Sequence, residues 1–241
     1  MLRTLICLLW FISSKSFGYS QEAPAHHLFN TTILDPYEHQ VGITGNYKLG
    51  LNEDWEIGTQ GLLGLTRTAN LYLRHRMFEV GDFRTAFTSH LSYFSMDDAK
   101  GMLGLMSINT STNWGDHSVI TAGIMDIIAL SAQDNFFTEE LAKTSIFFGT
   151  ASLDSYFNPT WSFNAAAMVP LYGNIELATD SMDVKSETFF ILRPADLTSL
   201  SWFTFTYTSR SYNLEFGGLG VLSPGQFNIV PYINMFWRFQ R

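Results

Sequence analysis

Six basic residues, Lys48, Arg74, Arg76, Arg84, Arg210 and Arg238, fall on the polar side of segments whose side chains alternate between apolar and polar. Glu56 and Glu215, with Asp126 a further candidate, are the acids placed among them. Because a strand sends successive side chains to opposite faces, one surface of these segments carries an excess of cations. A cationic lining favours anions. Arg74, Arg76 and Arg84 read as belonging to adjacent strands and outnumber the acids nearest them in sequence, which makes them the expected restriction of a pore. The same residues admit a second arrangement, in which they pair with Glu56 and Glu215 in a network that fills the interior.

Other chemistry is sparser. His90 and Ser92 could form a histidine-activated nucleophile, but they share the presumed interior face, and a His-x-Ser coincidence is weak in a serine-rich chain. His26, His27 and His39 lack the spaced partners of a metal site and read as solvated polar residues. No catalytic residue, metal or cofactor is therefore expected. The chain has no phosphate-binding glycine loop, and its net charge of −8 argues against nucleic acid. Glycines such as Gly42, Gly58, Gly64 and Gly217 read instead as positions where strands curve.

The elements that must hold these residues are strands. Phe227 to Phe239 alternates without a break, with Phe227, Ile229, Pro231, Ile233, Met235, Trp237 and Phe239 on one face and Arg238 and Asn234 on the other. An apolar row of that length needs a second protein layer or lipid to cover it. Similar segments run over Gln40 to Gly50, Trp55 to Leu65, Asn70 to Met77, Phe83 to Phe94, Ser145 to Leu153, Trp161 to Leu171, Glu187 to Arg193, Ser201 to Arg210 and Asn213 to Leu222. Gly101 to Asn109 and Val119 to Leu130 are strand-like but apolar on both faces, so their facing cannot be read from periodicity. The count is twelve strands, with a range of ten to fourteen. Asp134 to Lys143 is the one helix candidate, more simply a surface loop with a helical turn.

Composition agrees with a transmembrane antiparallel barrel. Charged residues make up 15% and aromatics 15%, against roughly 25% charged in soluble domains, while a mean hydropathy of +0.05 is too polar for a helical membrane protein. Half of each barrel strand faces lipid and half a polar interior, which gives this mixture. A soluble sandwich would instead have to bury the alternating Arg, Lys, Thr and Asn at several kcal/mol each unless paired. Residues 1–20, with Arg3, the apolar run Leu5 to Ile12 and the small residues Ser16, Gly18 and Ser20, read as a secretory signal peptide cleaved after Gly18 or Ser20. Its loss leaves 12 basic and 22 acidic residues, a net charge of −10, and removes Cys7, the lone cysteine. Residues 21–38 read as a loose leader or periplasmic cap, and residues 39–241 as the barrel.

Together, the signal peptide, the meander of roughly ten-residue strands and the ending Trp237-Arg238-Phe239 resemble Gram-negative outer-membrane β-barrel proteins. The resemblance implies an all-β fold in the outer membrane, contact with its lipid, and recognition by the barrel-assembly machinery through Tyr232, Trp237 and Phe239. Asn234 stands where that family's signal carries glycine, and Gln240 and Arg241 extend past its usual aromatic end. Barrel lipid hydrolases use His-x-Ser-Asn, whereas here Tyr93 follows Ser92. The expected function is a passive channel for small anionic or zwitterionic solutes. The alternative is a closed structural barrel that binds another envelope protein, with a lipid-modifying enzyme third. One conflict stands: with twelve strands so counted, the long connections near Ser131 to Thr144 and Gly173 to Lys185 fall on the side of the termini, whereas such barrels place them on the other.

Overall fold

The computed structural model describes residues 29–43, 46–59, 69–96, 99–131, 143–181, 184–192, 199–209, 212–223 and 226–240. Among these are thirteen strands and no helix: β1 (Glu38–Gly42), β2 (Tyr47–Gly50), β3 (Trp55–Thr59), β4 (Ala69–Val80), β5 (Phe83–Met96), β6 (Ala99–Asn113), β7 (Ser118–Ser131), β8 (Lys143–Tyr156), β9 (Trp161–Ser181), β10 (Val184–Leu192), β11 (Ser199–Thr208), β12 (Asn213–Ser223) and β13 (Gln226–Gln240). The segment Asp134 to Lys143 falls almost wholly outside the described residues, as do Gly64 and Arg210.

Each strand from β1 to β9 pairs antiparallel with the next, and β13 returns to β1 with Gln40 opposite Arg238 and Gly42 opposite Phe236. The sheet therefore closes on itself. β9 is long enough to carry two partners along one edge: Trp161 to Met168 pair with β11, and Ile175 to Ser181 pair with β10. Successive stretches of one position are thus filled by β10 and β11, and the ring has twelve positions. The expected twelve-stranded meander is present, but two of its strands were drawn differently. Gln40 to Gly50 is a hairpin, β1 and β2, rather than one strand, and Glu187 to Arg193 takes no place of its own.

The extra early strand resolves the conflict for the connection between Ser131 and Thr144, while Gly173 to Lys185, expected to be a long connection, is taken up by the end of β9 and the start of β10. Connections at 51–54, 81–82, 114–117, 157–160 and 209–212 are short and lie at the end that holds β1's first residue and β13's last. The longer stretches 60–68 and 132–142 connect strands at the opposite end.

Burial follows the alternation read from sequence. On β13, Asn234 and Phe236 are buried while Ile233 is 72% exposed, and on β11 Thr204 and Thr206 are buried while Phe203 is exposed. Leu71, Phe83, Leu91, Ile108, Ile124, Phe147, Val169, Phe203, Phe216 and Ile233 are all exposed, and they come from strands all round the ring. In water these ten half-exposed side chains alone would forgo on the order of 10 kcal/mol of burial, comparable to the whole net stability of a domain. A lipid surround would remove that cost, and the exposed apolar band is consistent with a membrane barrel. Near the terminal end the outer surface turns aromatic, with Trp55 stacked on His75 at 4.0 Å and His39 on Phe239 at 5.3 Å between ring centroids, and Trp161 edge-on to Tyr207. Such girdles mark the lipid–water boundary of membrane barrels.

One rung shows how glycine lets the inner wall knit. Asn109 on β6, Gly123 on β7 and Thr150 on β8 are directly opposite one another. Asn109 reaches across β7 to accept a hydrogen bond from the Thr150 hydroxyl at 2.9 Å. A Cβ on Gly123 would sit 2.2 Å from Asn109 Oδ1 and 2.3 Å from the Ile108 carbonyl oxygen. Gly123→Ala is therefore expected to break this bridge and leave two buried polar groups unpaired, at about 1–3 kcal/mol each. Urea unfolding of the folded barrel in micelles would measure the loss.

Candidate functional site

Twelve strands enclose more space than wall side chains can fill, since about eight already leave an interior just wide enough for them. The space is taken by the chain itself. Phe29 to Leu34, part of the stretch read as a leader, runs inside the ring, with Phe29, Asn30, Thr31, Ile33 and Leu34 all buried. The Phe29 ring lies 5.0 Å from that of Trp202 and packs into a cluster of Met125, Ile146, Phe148, Ala166 and Met168. Leu105, Ile127, Leu200 and Val221 close around it.

Further along, the segment is held by polar groups. Thr31 Oγ1 donates to Ser111 Oγ at 2.9 Å, Arg74 Nη1 donates to the Thr32 carbonyl at 3.0 Å, and the Leu34 amide donates to Glu56 Oε2 at 3.0 Å. The chain then reverses. Asp35-Pro36-Tyr37-Glu38 closes with a 2.9 Å bond from the Glu38 amide to the Asp35 carbonyl, and Tyr37 has φ of 63°. Proline second and a positive φ third define a type II turn, so Tyr37 occupies a place that favours glycine. β2 accommodates the passing segment because residue 50 is glycine: a Cβ there would lie 2.1 Å from the Asp35 carbonyl oxygen.

The cations assigned to the interior separate into three groups. Arg74 and Glu56 face each other across β3 and β4 and are both fully buried. Beside them Lys48 lies 3.6 Å from Glu56 Oε1, with its ammonium 4.9 Å from the centre of the Tyr72 ring. Arg74 also donates to Thr88 Oγ1 at 3.3 Å and lies over the same Tyr72 ring. Arg76 and Arg84 instead sit at the terminal rim, where both meet Glu79 at 3.7 and 3.2 Å. Arg238 pairs with Glu38 at 3.5 Å. Glu215, buried on β12, accepts hydrogen bonds from Tyr232 Oη at 3.0 Å and Asn234 Nδ2 at 2.9 Å. Lys48 is within electrostatic reach of Glu56, Arg74, Arg238 and Glu215 at once, so these charges form one network across the wall.

Asp126 belongs elsewhere: it alternates with the buried Met125 and lies on the outward row of β7. Trp237 and Phe239 also point outward, whereas Tyr232 is on the lumen side. His90 and Ser92 are both buried on the inner face of β5. Among the described residues no group of three or more His, Cys, Asp and Glu is placed to hold a metal ion.

No family model and no curated protein matches the chain, so its function is read from the barrel's own geometry. Several residues of the lumen escape a search for charged clusters. Glu38 and Asp154, which accepts from Asn164 at 2.8 Å, complete the polar wall, Glu79 holds Arg76 and Arg84 at the rim, and Phe29 and Leu34 hold the segment. Phe29 carried one faint signal: with Leu28, Ile33 and Leu34 it gives the leader apolar residues that a solvated stretch does not need.

Proposed function

We propose that the protein is an outer-membrane barrel whose conduit for small anionic or zwitterionic solutes is held shut by its own N-terminal segment. The observation that carries this reading is the segment Phe29 to Leu34 lying inside the ring, with its backbone bonded to Glu56 and Arg74. A barrel that needed only to be a solid staple could fill its interior with side chains from fewer strands. Here the filler is a separate stretch of chain, anchored at a few points and removable without unpairing any strand.

In this reading the end holding the termini and short turns faces the periplasm, and the longer connections face outside. Lipid covers the apolar band, and Trp237 and Phe239 present the assembly signal. His90 and Ser92 face away from the bilayer, so the reading gives neither a part in lipid chemistry.

Planar-bilayer recording tests it. Full-length protein is expected to show almost no conductance, and a variant lacking residues 21–34 to show steady openings with preference for anions. If the shortened chain folds into a protease-resistant barrel yet never conducts, the closed, partner-binding reading takes its place. That reading is favoured by how completely Phe29 is enclosed.

A further inference from the structure

A cavity of about 90 Å³ remains inside the ring, lined by Gln40, Lys48, Tyr72, Arg74, Asn234 and Phe236 among others. In register it begins at the rung that Arg74 shares with Gly50 and Glu56, where the N-terminal segment crosses, and extends away from the termini to Gly42, Asn46 and Thr59, and no residue from Phe29 to Leu34 lines it. The cavity is thus separate from the space the segment fills.

Its wall has two kinds of polar group. Lys48 and Arg74 bring positive charge, and among the described residues no carboxylate lines the cavity directly. Against them stand two acceptors. Gln40 Oε1 and Asn234 Oδ1 are buried without a hydrogen-bond donor. The orientation of Asn234 is fixed, because its Nδ2 must be the atom that donates to the Glu215 carboxylate at 2.9 Å, which leaves Oδ1 as an acceptor near Gly42. Buried acceptors left empty forgo the hydrogen bonds that water gave them, so the cavity is built for an occupant that donates hydrogen bonds as well as one that carries negative charge. With Glu38, which Arg238 meets at 3.5 Å, the three cations Lys48, Arg74 and Arg238 are balanced by Glu56, Glu215 and Glu38. That suits a carboxylate with its own ammonium better than a dianion.

We infer that this cavity is a binding site for a small zwitterion of the α-amino-acid type, its carboxylate toward Lys48 and Arg74 and its ammonium toward Gln40 Oε1 and Asn234 Oδ1. At ~10–15 Å³ per water-sized atom the space holds about six to nine atoms, the size of alanine or serine. The inference deepens the proposed function by naming the solute class, and it rests on the same lumen. It does not require that the barrel conduct.

Equilibrium dialysis of radiolabelled L-alanine against the full-length folded barrel in micelles tests it. One saturable site is expected. Affinity should fall at least tenfold in Lys48→Gln, which removes the charge, and in Gly42→Leu, which fills the space from a position where a Cβ meets only ordinary contacts of 3.4 Å or more. Acetate and methylammonium, each carrying half of the ligand, should compete at least tenfold less well than unlabelled alanine. Absence of saturable binding to protein shown to be folded means that water alone occupies the cavity and overturns the inference. So does binding unchanged by both variants, or acetate competing as well as alanine. Conductance without alanine binding would sink this site alone, and alanine binding without conductance would sink only the channel.

Discussion

Arg74→Met is expected to destabilise the folded barrel by about 3–5 kcal/mol and, in the same step, to free the N-terminal segment. The guanidinium is fully buried and bonds both to the wall, through Thr88, and to the segment, through the Thr32 carbonyl. Methionine fills much of the same volume, so lost packing contributes little. The cost comes from Glu56, which would keep its charge and its bond to the Leu34 amide but lose the cation directly opposite. Arg74→Lys should recover only part of the loss, because an ammonium lacks the planar fork that serves two acceptors in different directions. Combining Arg74→Met with Glu56→Gln should cost less than the sum of the two single changes. Urea titration in micelles gives the first quantity, and protease cleavage within residues 29–34 the second. Equal stability of Arg74→Met and the parent would show that the pair contributes nothing.

Phe29→Ala should leave the wall folded and release the segment. Deleting a buried phenylalanine side chain costs about 3–5 kcal/mol, and here that loss falls on docking, because strand pairing does not involve residue 29. The undocked population should rise by about 10²–10⁴-fold, seen as faster hydrogen exchange at the Leu34 amide, which the docked segment holds against Glu56. Phe29→Leu, which keeps most of the volume, should have a much smaller effect. Exchange at the paired amides of β13 should stay slow in both, and a uniform acceleration there would mean that the segment is part of the barrel's global stability rather than a removable filler.

The wall was largely legible in the chain. On β13, β11 and the first half of β9 the alternation names the outward and inward residues as the structure places them. The β1–β2 hairpin was not legible, for a physical reason. Val41 pairs with Tyr47, six residues on, and an even separation carries the alternation through the turn unbroken, so a hairpin and one long strand look alike. The position shared by β10 and β11 depends on which stretch of β9 each one pairs with, and that register leaves no trace in periodicity. The middle strands, apolar on both faces, were more informative than periodicity alone allowed. Leu105, Met125 and Ile127 on these strands face inward, as do Ile146, Phe148 and Met168 on the two that follow, because Phe29 needs an apolar seat. A run that is greasy on both sides of a barrel strand signals a filled interior. In the lumen, sequence grouped Arg74, Arg76 and Arg84, but the register sets Thr88 opposite Arg74 and Glu79 opposite Arg84, which puts two of them at the rim and one deep inside.

The seat of Phe29 also orders events in time. Its ring meets Trp202, separated from it by most of the chain, and the pocket's other walls come from β7, β8 and β9. A contact so distant in sequence can form only after the intervening loops have closed. The segment Phe29 to Leu34 is therefore expected to settle last, so that each molecule passes through a hollow stage before it becomes a stoppered one.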